Sequence, residues 1–93
     1  MSVYVDRLAP TLLSKLWRWD RGCHLVADTV VELHTFAQQI GCRRGWFQPN
    51  SFPHYDLTPS RRVRALRYGA KEVDRRELVG IMRQWRSRKD GGV

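Results

Sequence analysis

Asp6, His24, Asp28, His54 and Asp56 are of the residue types that together do phosphate chemistry. Carboxylate oxygens hold Mg²⁺ or Mn²⁺, imidazoles move protons near neutral pH, and a divalent ion beside both binds and polarises a phosphate. In that arrangement Asp6, Asp28 and Asp56 are the expected metal ligands, and His24 or His54 is the general base or acid. Each residue also has a plainer role. Asp28 and Asp74 stand where helices are expected to start and suit the helix dipole, and His24 and His54 are of a type often hydrogen-bonded half inside a fold.

A second set has the chemistry to receive an anion. Thr58-Pro59-Ser60-Arg61-Arg62 reads as an N-cap followed by a first helical turn, whose free amides and positive dipole end attract phosphate. Arg61, Arg62 and Arg64 are the expected grips, with Tyr68 beside them and Val63 and Leu66 expected on the buried side. Trp46, Phe47, Phe52 and Tyr55 are either core packing or a stacking wall for a base. His34 falls about 100° from the centre of its helix's apolar stripe, at the core boundary, where it faces a neighbour, the site or a partner.

Charge agrees with an acidic partner. Of the net +8, residues 58–93 carry +7, with eleven of the seventeen Lys/Arg and four of the nine Asp/Glu. Such asymmetry suits nucleic acid, nucleotide or an acidic protein, although basic faces also serve solubility. With 93 residues and 42% apolar content, the chain has material for one modest core. No apolar run approaches the ~20 residues of a membrane span, and the start does not read as a secretory signal, so a cytoplasmic protein is expected. Cys23 and Cys42 lack zinc-finger spacing and are expected as free buried thiols. Phosphate-cradling GxxxxGK[ST], GxGxxG, HExxH and GxSxG motifs are absent from the sequence.

These side chains need elements to position them. Residues 3–5 and 23–27 read as short strands, each followed by an aspartate, and 43–48 and 70–73 as further strands. Residues 10–20 are either a short helix or a packed loop. Thr29-Val30-Val31-Glu32 is a capping box opening a helix over 29–40, with Val30, Leu33, Phe36, Ala37 and Ile40 as its stripe and Gly41 as its stop. A second helix is expected from Thr58 to about Tyr68. A third begins at Asp74 with Glu77 returning to the cap and Val73 stapling to Leu78, and it buries Leu78, Ile81, Met82 and Trp85. Residues 1–87 thus form one domain and 88–93 an unstructured tail. The fold class is α/β, with three to four short, partly parallel strands and about three helices. Parallel pairing would gather Asp6, Asp28, the His54–Asp56 segment and Asp74 on one rim.

The segments Tyr4-Val5-Asp6, Cys23-His24-Leu25-Val26-Ala27-Asp28, Glu32-Leu33-His34, Arg44-Gly45-Trp46-Phe47-Gln48, His54-Tyr55-Asp56, Ser60-Arg61-Arg62 and Gly69-Ala70 resemble, in that order, a small bacterial and phage domain family of unknown function. The resemblance implies a compact cytoplasmic protein and brings no activity with it. The residues that carry it are largely those of the expected rim. The reading that follows is a domain that binds the phosphate of nucleic acid or a nucleotide, with Mg²⁺- or Mn²⁺-dependent phosphoesterase or nuclease chemistry if the rim holds an ion. The alternative is a non-catalytic accessory protein that occupies a host protein.

Overall fold

The structure, a computed structural model, describes residues 2–10, 21–49 and 52–91, with side chains of the last helix through Trp85. The helix or loop expected over 11–20 therefore lies outside the described residues, as does the turn at Asn50 and Ser51. Among those described, five strands, β1 (Val3–Val5), β2 (Ala9–Pro10), β3 (Arg21–Ala27), β4 (Tyr55–Leu57) and β5 (Lys71–Glu72), make a mixed sheet. Three helices, α1 (Val30–Gln39), α2 (Pro59–Arg67) and α3 (Arg75–Gly91), complete an α/β fold.

The sheet is partly parallel, as expected, but β1 and β3 do not run in the same direction, as a shared rim for Asp6 and Asp28 requires. β1 and β3 are antiparallel, with Val3 opposite Ala27 and Val5 opposite Leu25, and β4 is antiparallel to β3 on the other side, with His24 opposite Asp56. Only β5 pairs in parallel, with β1. Two neighbouring antiparallel strands end at opposite edges of a sheet, so the aspartates after β1 and β3 cannot share a rim. The segment 43–48 is not a strand either. Arg44–Trp46 form a single 3-10 turn, and only Gln48 makes a bridge, to His54.

Alternation along β3 sends Cys23, Leu25 and Ala27 to one face and Val26 to the other. The first face is covered by Leu33, Phe36, Ala37 and Ile40 of α1 and by Ala65 of α2; the second receives Leu78, Ile81 and Met82 of α3. Both cysteines are free and buried, and burial pushes the Cys23 thiol up to about 12 and raises that of Cys42. Trp85 fixes α3 at one end of the sheet by donating its indole N–H to the Ala27 carbonyl at 3.0 Å.

The helix boundaries follow local chemistry. Thr29 Oγ1 accepts the Glu32 amide, and Glu32 returns to the Thr29 hydroxyl rather than to its amide. Asp74 and Glu77 bond reciprocally at the start of α3, with Val73 buried against Leu78. Gly41 (φ +86°) and Gly69 (φ +103°) end α1 and α2 in the left-handed conformation, each followed by a six-to-one bond, Cys42 to Ala37 and Ala70 to Ala65. α3 runs to Gly91, beyond the expected stop at 87.

α2 is turned over relative to expectation. Ala65 is its buried residue, while Val63 and Leu66 are 49% and 36% exposed. The reason is Arg62, whose half-buried guanidinium spans the gap to β1 and β5, donating to the Asp6 carbonyl at 2.9 Å and pairing with Glu72. With Arg62 and Ala65 on the inward face, Val63 falls on the far side, and Leu66, one turn after Arg62, lies at the margin of that face.

Candidate metal centre and basic surface

The site starts from a one-residue mismatch. Val5 pairs with Leu25 and Ala9 with Gly22, so Asp6, Arg7 and Leu8 stand opposite only Cys23 and His24. This is a β-bulge, which bends a strand and re-aims a side chain. Asp6 is the first residue of this stretch, and its side chain lies on the His24 face of the sheet. Its Oδ1 accepts the His24 amide at 2.6 Å and its Oδ2 faces His24 Nδ1 at 2.9 Å. The carboxylate is thereby committed to orienting one imidazole.

Register supplies the rest. His24 and Asp56 are a direct cross-strand pair, and the bridge between Gln48 and His54 holds His54 just before β4. One donor atom each from His24, His54 and Asp56 lies within 4.8 Å of the other two, the one such grouping among the described residues. The two rings meet edge to face, centroids 5.2 Å apart. Phe52 stacks on His54 at 4.6 Å and belongs to the α3-side core, so it walls the group off on that side. His24 and Asp56 side chains remain 42% and 41% exposed, so the group opens to solvent.

Hydrogen bonds fix the ring nitrogens. His54 Nδ1 lies 2.9 Å from the Phe52 carbonyl, which can only accept, so Nδ1 carries the proton and Nε2 faces Asp56 Oδ1 at 3.5 Å. Asp56 Oδ2 accepts from Gln48 Nε2 at 3.2 Å. On His24 the Asp6 carboxylate holds the Nδ1 proton, leaving Nε2 with a lone pair. That hydrogen bond raises the His24 pKa against the opposing effect of burial, with the Asp6 and Asp56 charges adding to the rise.

The remaining expected site residues are dispersed. Asp28 is at the other end of β3, accepting from the Ser2 amide at 2.8 Å and the Tyr4 hydroxyl at 3.0 Å, and does not join the His24 group. Its expected place among the metal ligands followed from parallel pairing and falls with it. His34 and Tyr55 meet on the α1 side of the sheet, Nδ1 to hydroxyl at 2.7 Å, with Phe47 edge-on to the His34 ring. Tyr55 is 1% exposed and so is core rather than a stacking wall. Desolvation, and after it the Arg44 charge, lowers the His34 pKa. A two-dimensional NMR titration should therefore find His34 protonating below, and His24 above, the ordinary imidazole pKa; His24 titrating with or below His34 would contradict the assigned partners.

The arginines form a different surface. Arg61 lies over the Trp46 ring, 4.9 Å from its centroid, and reaches the Gly41 carbonyl, while Arg64 donates to the Ile40 carbonyl at 3.2 Å. Both thus cap the C-terminus of α1, while Arg61 Nε is buried without a hydrogen-bond partner among the described residues. Thr58, buried at 4% exposure, takes the Arg61 amide on its hydroxyl, so the α2 start is capped from within. The sequence reading gave no strand at β2 or β4, both too short to show periodicity, and no role to Gln48, which nothing in the sequence ties to His54 or Asp56.

No helix among the described residues is long and apolar enough to cross a membrane. No curated protein and no solved structure matches the chain. A family model described as "Protein of unknown function (DUF4031)" matches residues 3–85, nearly the whole chain, and on that match the protein belongs to the DUF4031 family.

Proposed function

We propose that this protein binds the phosphate backbone of nucleic acid, nucleotides being weaker ligands of the same surface. The observation that carries this reading is the stretch 41–71, in which seven basic side chains stand with a single acid, Asp56. Five of the seven, Arg43, Arg44, Arg64, Arg67 and Lys71, are exposed. Trp46, 40% exposed with Arg61 over it, supplies an aromatic plane among the charges. Positive grooves interleaved with aromatics suit single strands, whose bases stack without sequence preference.

The test is fluorescence anisotropy with a labelled single-stranded oligonucleotide across salt concentrations. Arg44→Ala with Arg67→Ala is the suitable variant, because neither side chain makes a hydrogen bond or ion pair among the described residues, whereas Arg61, Arg62 and Arg64 hold the fold together. Affinity should fall steeply with salt in the parent, and the double variant should lose roughly tenfold and flatten the log–log slope by about one and a half units. No binding at low salt, or binding indifferent to both salt and variant, would refute the reading.

A second reading is a non-catalytic protein that occupies another protein. Val63, Leu66 and Tyr68, each exposed on or just after α2, favour it. A defined protein partner that co-purifies after nuclease treatment and is lost in Val63→Ser would select it over nucleic-acid binding.

A further inference from the structure

We infer that His24, His54 and Asp56 form a binding site for a divalent transition-metal ion, coordinated by one nitrogen of each imidazole and one Asp56 oxygen. The site does not depend on the nucleic-acid reading. It rests on three features of the geometry.

The first is the face-off between His54 Nε2 and Asp56 Oδ1 at 3.5 Å. With the Nδ1 proton given to the Phe52 carbonyl, a neutral His54 turns a lone pair toward a carboxylate oxygen. A cation between the two, a proton or a metal ion, satisfies both acceptors, and the 3.5 Å gap has room for either. The second is that both imidazoles are anchored through Nδ1, His24 to a carboxylate and His54 to a main-chain carbonyl. Metal-binding histidines are held in this way, the outer hydrogen bond fixing ring orientation and leaving the other nitrogen as ligand. Asp56 is held likewise by Gln48.

The third is spacing. A tetrahedral ion with bonds of about 2.1 Å places its ligands about 3.4 Å apart. The His54–Asp56 separation already matches, and the widest separation in the group is within 4.8 Å. Two nitrogens and one oxygen suit Zn²⁺, Mn²⁺, Fe²⁺ or Ni²⁺, whereas Mg²⁺ prefers oxygen alone. Three protein ligands also leave a coordination position for water or a phosphate oxygen.

Titration calorimetry on the chelator-treated 93-residue chain with Zn²⁺ and separately with Mg²⁺ tests the inference. Zn²⁺ should bind at one equivalent and Mg²⁺ far more weakly. Asp56→Asn, at a half-exposed position, and His54→Ala should each weaken Zn²⁺ roughly 100-fold, while Asp28→Asn changes nothing. Circular dichroism establishes that each variant is folded. Should His54→Ala fail to fold, Asp56→Asn and Co²⁺ absorption of the parent decide the question, imidazole–carboxylate coordination giving visible bands. No one-to-one Zn²⁺ binding by the folded parent overturns the site, and so does binding that survives Asp56→Asn and His54→Ala. Failure here leaves salt-dependent oligonucleotide binding untouched, so the two readings fall separately.

Discussion

Tyr55→Ala is expected to destabilise the protein by about 3–5 kcal/mol, the usual cost of removing a fully buried aromatic. Tyr55 is 1% exposed, pairs within the sheet with Leu25, and packs near the rings of His34 and Phe47. Its hydroxyl also satisfies His34 Nδ1. Tyr55→Phe separates the two contributions, because it keeps the ring and removes the hydrogen bond, at a cost of about 1–2 kcal/mol. Urea denaturation measures both. Equal losses from the two variants would mean that the hydroxyl, not the ring, carries the stability and that Tyr55 is not core.

Asp6→Ala should cost about 2–3 kcal/mol, since it strips the His24 amide and ring N–H of their shared acceptor. Its pH dependence has a definite sign. The His24 pKa is raised in the folded state, mainly through the Asp6 hydrogen bond, so the native state binds the proton more tightly than the unfolded chain. The stabilisation is fully present below the ordinary imidazole pKa and is lost as pH rises through the elevated native value. Asp6→Ala should therefore cost more at pH 6 than at pH 8, with Asp6→Asn, which keeps one acceptor, falling between the variant and the parent. A penalty that grows with pH would show that Asp6 acts on some other group. The exposed ring limits the size of this pH effect, because solvent screens the pair.

The helices were legible because their signals are local. The Thr29 and Asp74 boxes, the glycines at 41 and 69, and the Leu33–Phe36–Ala37–Ile40 stripe each depend on residues within a turn or two of one another. The sheet was legible only as short apolar runs. Whether β1 lies parallel or antiparallel to β3 is decided by long-range pairing, and the bulge at Asp6–Leu8 leaves no mark in composition. β4 has three residues and reads equally well as the approach to α2.

The same division explains the site. His24, His54 and Asp56 were recognisable as chemically able residues, but their company was not. Asp6 and Asp28 look alike in sequence, each an aspartate closing a β-prone run. Antiparallel pairing sends them to opposite ends, where Asp6 orients His24 and Asp28 binds the Ser2 amide and the Tyr4 hydroxyl. The α2 arginines defeated a simple amphipathic reading because Arg62 bridges Asp6 and Glu72 from the inward side. The two candidate surfaces are linked by a short stretch of chain. Gln48, which bonds Asp56, follows two residues after Trp46.

All of this depends on β3 being flanked by the bulged β1–β2 edge on one side and β4 on the other, which sets His24, His54 and Asp56 face to face. A crystal of the protein grown with Zn²⁺, with data collected across the zinc absorption edge, locates any bound ion directly. One anomalous peak is expected about 2.0–2.2 Å from a nitrogen of His24, a nitrogen of His54 and an oxygen of Asp56, with Asp6 on the far side of the His24 ring. A peak on Asp28, or these three side chains found on separate faces, would contradict the account.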